Sequence, residues 1–187
     1  MKSQFDIEAV LKAGKISSEL EYERSMIADR KLRLLSKNSP KLKSIRKALR
    51  EIIEQYEDEN WSSNSSKTAL DWKESDLAEL IAERERQFIQ KRKNLIVAKL
   101  KKAELNQQHL MKLLGLTSKT HMSELMNGLS PFTLNHIVII HRLFKIEFSD
   151  LIPTTLPQVM RIKIQSSIRE LGNPKLKLSA EDFDLVC

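Results

Sequence analysis

Five side chains in one short stretch, Ser118, Lys119, Thr120, His121 and Ser123, combine hydrogen-bond donors and acceptors of small or moderate size. Held on one turn of helix, such a set suits contact with the edges of DNA bases. Ser and Thr can meet several bases and His121 is ambiguous, so no target sequence is legible. Gln107 stands where a helix N-terminus offers its amides and a side chain to a phosphate oxygen. Lys101, Lys102 and Asn127 complete the candidate phosphate contacts.

The elements that must position these residues can be read from their caps. Asn106 can open a helix by accepting from the free amides of its first turn. Leu110, Leu113 and Leu114 follow at helical spacing, Gly115 can end the helix in the left-handed conformation, and Leu116 can pack inward. Thr117 or Ser118 can cap a second helix with Met122, Leu125 and Met126 as its apolar positions, closed by Gly128. Two short helices joined by such a turn form a helix-turn-helix, whose second helix enters the major groove by its N-terminal end. The plain alternative is a small helical hairpin with a solvated polar face.

The stretch Leu105 to Pro153 resembles the Xre, lambda-repressor-like helix-turn-helix family, and SKTHMSELMNG is similar to the SKSxVSxVLxG segment of HigA-like antitoxins. Glu124 stands where many of those relatives carry Arg, which weakens the pull of that face on DNA. Residues 1 to 60, with YERSMIADRKLRLLSK and KSIRKALREIIEQYEDENW, resemble the N-terminal extension of a subset of the same antitoxins. The resemblance implies a five-helix domain, a homodimer on double-stranded operator DNA, and a HigB/RelE-like, mRNA-cleaving toxin as protein partner.

Composition fits this class. The 187 residues are 41% hydrophobic and 30% charged, with four glycines and five prolines, and amphipathic helical patterns dominate. An all-α fold is expected. The net charge of +7 and pI near 9.5 favour an anionic partner. The lone Cys187 excludes an internal disulfide. The first residues, MKSQFDIEAVLKAG, are too short and charged an apolar run for a secretory signal, and no run approaches a membrane span. A cytoplasmic protein without a membrane partner is expected.

Along the chain, Phe5 to Leu11 make a short amphipathic segment that Gly14 ends, and Ser18 with Glu21 has capping-box spacing. Leu20, Ile27 and Leu34, flanked by Ala28 and Leu35, predict one buried stripe; Leu42, Ile45, Leu49, Ile52 and Tyr56 predict another after Pro40. That third helix starts basic and ends acidic (Glu51, Glu54, Glu57, Asp58, Glu59), against its dipole. Either a basic partner docks on the acidic end, or the mismatch is a small cost on a wet surface.

Ser75 is expected to cap a long helix to Glu104, with Leu77, Leu80, Ile81 and Phe88 on one stripe and Ile89, Ile96, Leu100 and Ala103 on a shifted one. The drift predicts a bend near Arg84 to Arg86 or a change of packing partner. Between Arg84 and Lys112 lie nine basic residues against Glu85 and Glu104, and Lys99, Lys101 and Lys102 are those expected to meet phosphates. Thr133 is expected to cap a core helix carrying Leu134, Ile137, Val138, Ile140, Leu143 and Phe144. Pro157 and Gly172 bound a further helix, and Lys175 to Leu178 alternates briefly like an edge strand.

The organisation expected is therefore residues 1–61 as a helical, toxin-binding region, 62–74 as linker, 75–153 as the helix-turn-helix domain, and 154–187 as a short C-terminal appendage able to dimerise. No phosphate loop, zinc motif or nucleophile elbow occurs, and His136 and His141 do not have the spacing of a helical metal pair. Neither catalysis, a metal nor a cofactor is expected. Two other readings stay open: a stand-alone regulator without a toxin, and a helical protein-binding adaptor.

Overall fold

A computed structural model describes residues 4–61, 69–153, 158–173 and 175–176. Among the described residues every regular element is helical: α1 (Ile7–Ala13), α2 (Glu19–Leu35), a 3-10 turn (Ser36–Asn38), α3 (Pro40–Trp61), α4 (Ala69–Lys102), α5 (Gln107–Leu113), α6 (Lys119–Asn127), α7 (Leu134–Phe144), α8 (Phe148–Leu151) and α9 (Gln158–Leu171). None of these helices is long and apolar enough to cross a membrane.

Most boundaries follow local chemistry. Gly14 ends α1 at φ 66°, a conformation that costs glycine nothing. The Ser18 hydroxyl accepts from the Glu21 amide at 3.3 Å, but the Glu21 carboxylate turns to the Ser17 amide and hydroxyl, so the expected capping box is only half formed. Before α3, the Ser39 hydroxyl accepts from the Leu42 amide and Pro40 opens the first turn. Residues 69–74, expected as linker, belong to α4; Ser75 hydrogen-bonds Glu19 on α2 and lies inside the helix. Lys175 and Leu176 form no strand, and residues 177–187 lie outside those described.

Two hydrophobic cores organise the chain. The first gathers Ile7, Val10 and Ile16 with Tyr22, Ala28 and Leu32 of α2 and Leu42, Leu49 and Ile53 of α3. The buried face of α2 is Tyr22, Ser25, Ala28 and Leu32, and the heptad Leu20, Ile27, Leu34 is not that face; Leu34 is 66% exposed. The reason lies in α4, whose first half packs on α2. It buries Ala78 and Ala82 and leaves Leu77 and Leu80 exposed, so small residues on both helices set the contact where leucines were expected.

The second core takes Ile96 and Leu100 from the far half of α4, with residues of α5, α6, α7 and α8. Helix α4 runs unbroken between the two cores, so the drifting stripe records a change of packing partner. On α7 Ile137, Ile140 and Phe144 are buried and Ile139 packs partly against the same core; Leu134 and Leu143 fall on the outer face, Leu134 at 70% exposure. Among the described residues, none of those that fill either core comes from α9.

One residue crosses between them. Leu129, two positions beyond α6, is buried in the first core, and its carbonyl accepts from the Ile7 amide at 2.9 Å. Gly128 makes this possible at φ 69°, lying so close to α4 that a Cβ there would stand 2.6 Å from Ile89 Cδ1.

Candidate nucleic-acid interface

The pair α5–α6 is capped at each end by the residues its sequence supplies. Asn106 Oδ1 accepts from the Gln108 and His109 amides, and His109 Nδ1 accepts back from the Asn106 amide at 3.3 Å. Gln107 is thereby the first residue of α5 and exposed. Gly115, at φ 71°, turns the chain so that the Leu116 amide returns to the Met111 carbonyl and Leu116 packs on the second core. Ser118 is the cap of α6, its hydroxyl accepting from the His121 amide at 3.1 Å.

Behind this turn Met122, Leu125 and Met126 fill the core, which orients the opposite face outward. Ser118 and Lys119 are exposed; Thr120, His121 and Ser123 are partly so. The five expected base-reading residues thus share the N-terminal half of α6 with their polar groups unequally free. Among the described residues the Lys119 and Thr120 side chains make no hydrogen bond or ion pair. The Ser118 hydroxyl still has its proton to donate.

His121 Nδ1 lies 3.2 Å from Glu124 Oε2, and Glu124 is 2% exposed with Oε1 unpartnered among the described residues. Glu124, expected on this polar face, is instead buried beneath it, with its carboxylate beside one ring nitrogen of His121. The His136 imidazole is lowered from its ordinary pKa by burial and then by the nearby His121. His136 also closes the cap of α7 on Thr133, while His141 bonds the Ile146 carbonyl and stacks on Phe148.

Asn127 bonds to three other residues. Its amide nitrogen donates to the Ser123 carbonyl at 2.7 Å, and its Oδ1 accepts from Lys93 Nζ at 2.8 Å. Its backbone carbonyl accepts from Lys31 Nζ of α2, also at 2.8 Å. The side chain is therefore engaged within the protein, its nitrogen lying also 3.4 Å from the Ser123 hydroxyl. Neither lysine announced this contact in the sequence, because its partner lies 96 residues away for Lys31 and 34 for Lys93.

The basic run also divides. Arg92 is buried, donating to the Leu151 carbonyl and lying 5.0 Å over the Phe132 ring; burial lowers its pKa to about 10. Arg86 pairs with Glu83, whose carboxyl its hydrogen bonds hold down at about 2, and Lys91 meets Asp150 at 3.1 Å. Lys99, Lys101 and Lys102 occupy the last turn of α4, where cations also complement the helix dipole, and Lys101 and Lys102 are exposed. These residues, with Lys112 and Gln107, supply positive and donor groups on the segments flanking the turn between α4 and α5.

The acidic end of α3 has partners inside the protein. Tyr22 donates to Glu57 at 2.7 Å and Tyr56 to Glu19 at 2.9 Å, the two rings stacked 5.1 Å apart. Burial first, then these carboxylates, push both phenols well above their ordinary range. Lys47 and Arg50 lie within ion-pair distance of Glu51 and Glu54 one turn on. Part of the inverted charge order is thus answered within α3 and by α2, and Glu51, Glu54, Asp58 and Glu59 remain exposed.

No family model, no curated protein and no solved structure matches the chain.

Proposed function

We propose that this protein is a DNA-binding repressor and antitoxin of the HigA-like kind, which reads operator DNA through α6 and neutralises a RelE-like toxin. The single observation carrying the DNA half is the first turn of α6. It presents Ser118, Lys119 and Thr120 outward, while an apolar underside fixes the helix on its domain. The far half of α4 with α5, α6, α7 and α8 around one core supports a five-helix, lambda-repressor-like reading of that domain.

In this mechanism α6 enters the major groove by its N-terminus. Lys119 suits the O6 and N7 acceptors of guanine, and the Thr120 methyl suits a thymine methyl. Gln107 with Lys101 and Lys102 fixes the register by phosphate contacts, which carry affinity and not sequence. A homodimer would engage half-sites about one helical turn, roughly 34 Å, apart. The toxin, on the pattern of the resembled family, docks on residues 1–61, where the exposed carboxylates of α3 suit a basic surface.

Binding to the promoter upstream of the protein's own reading frame, measured across a salt series, tests the DNA half. Replacing Lys119 and Thr120 together by Ala should erase the preference for that fragment over random duplex. Unchanged preference would remove them as readers. Co-purification with the product of the adjacent reading frame tests the toxin half.

One observation favours a second reading, a stand-alone regulator. The N-terminal region has a core of its own that includes Leu129 from beyond α6, so it is built into the reader domain and is not a detachable arm. Absence of any neighbouring toxin, with operator binding intact, would select that reading.

A further inference from the structure

Asn127 ends α6, and two ammonium groups from separate helices converge on it: Lys31 of α2 at the backbone carbonyl and Lys93 of α4 at Oδ1. Among the described residues neither lysine has a carboxylate within ion-pair distance. Glu85, which lines a cleft with Lys31, is taken by a bidentate Arg24, and Glu83 is taken by Arg86. Burial first, then the nearby charges of Arg86, Lys93 and Arg92, disfavour the charge of Lys31, and its pKa falls to about 8. A helix C-terminus needs one cation to complement its dipole. Here several gather, Arg86 with its own carboxylate but Lys31 and Lys93 without one among the described residues, and each ammonium keeps donors beyond the one it gives to Asn127.

We propose that Lys31 and Lys93, organised by Asn127, form a phosphodiester-binding clamp at the C-terminal end of α6, so that α2 of the N-terminal region contributes directly to the DNA interface. This rests on the reading of α6 as the DNA-reading helix. It also passes the phosphate role expected of Asn127 to the two lysines that Asn127 holds. The clamp lies at the opposite end of α6 from Lys119 and Thr120, and would grip the backbone beside the groove without reading bases. Because phosphate contacts release counterions, each lysine that touches the backbone steepens the salt dependence of binding.

The test uses the full-length chain with a promoter fragment and a random-sequence duplex of the same length, followed by fluorescence anisotropy over a salt series. Lys31→Gln and Lys93→Gln should each reduce the slope of log K against log salt by about 0.9 on both duplexes, leaving the ratio of the two affinities unchanged. Lys31→Arg should restore the slope, and Lys43→Gln on α3 should leave it alone. Circular dichroism checks that each variant is folded. Variants that weaken binding equally at every salt, with the wild-type slope, would show a purely structural cap on α6 and overturn the clamp. Saturable stabilisation by inorganic phosphate without DNA, lost in Lys31→Gln while the slopes stay unchanged, would assign the site to free phosphate and overturn it too. If the wild-type chain shows no salt-dependent preference for the promoter, the reading of α6 itself fails, and the clamp with it.

Discussion

Both cores are filled by apolar side chains, but the first is rimmed by half-buried pairs between helices, whereas the charges of the second, Arg92 and Glu124, are themselves buried. The first core closes through Tyr22 to Glu57, Tyr56 to Glu19, Ser75 to Glu19 and, at its edge, Arg46 to Asp29. The second closes through Ile, Leu, Met and Phe, with Arg92 and Glu124 the buried charged side chains among the described residues. Apolar packing is indifferent to direction, while a phenol that donates to one carboxylate fixes the rotation of two helices about each other. The N-terminal region thus adds directional bonds at its rim to apolar packing, while the domain around Ile140 relies on volume and on two buried charges.

The sharpest way to break that contrast is to cut a cavity in each core. Leu32→Ala and Ile140→Ala remove side chains with no exposure and should each cost about 2–5 kcal/mol. Calorimetry of both should show one transition moved as a whole, because α4 and Leu129 tie the cores together. Two transitions, only one of them moved, would mean that the cores unfold independently.

Leu129→Ala acts on the tie itself. It should cost about 2–3 kcal/mol, at the lower end of leucine truncations because the seam can close partly around it. Hydrogen exchange should then rise at the Ile7 amide before it rises in α7.

Gly128→Ala should cost about 1–3 kcal/mol, from a left-handed φ and from the Cβ that would meet Ile89. Adding Ile89→Ala relieves the collision but not the backbone strain, so chemical denaturation of the double variant separates the two.

The smallest effect is the most selective. Tyr22→Phe should cost about 1 kcal/mol near neutral pH, by losing its bond to Glu57. Both tyrosine pKa values are raised in the folded state, so the unfolded chain releases its phenolic protons first, near 10, and the fold loses stability as pH climbs beyond that. Lys31 pulls the other way. Its folded value of about 8 lies below the unfolded 10.5, so its contribution to stability grows between those values as pH rises and is lost as pH falls through 8. The stability difference between wild type and Tyr22→Phe, followed from neutral to alkaline pH, isolates the tyrosine part and should shrink above about 10.

What could be read beforehand was local. Asn106, Ser118 and Thr133 cap the helices expected of them, and Gly128 and Gly172 close theirs, since a cap involves groups a few residues apart. The face of α2 was not legible, because the heptad of large residues points away and the buried positions include Ser25 and Ala28. Those become meaningful only once Ala78 and Ala82 lie opposite. The same holds for the site. The turn at Ser118 to Ser123 is a run of neighbours, while the fate of Asn127 depends on lysines from two other helices, and Arg92 reads as one more surface cation until Phe132 is placed beneath it.

Helix α4 is a party wall. A recombination event that exchanged everything upstream of Ala69 for another sequence would leave Ala78, Ala82 and Leu129 facing a stranger, and Asn127 without the ammonium that meets its carbonyl. Halves joined in this way are inherited as a set: drift on one side must be answered by substitution on the other, and descendants diverge together or not at all.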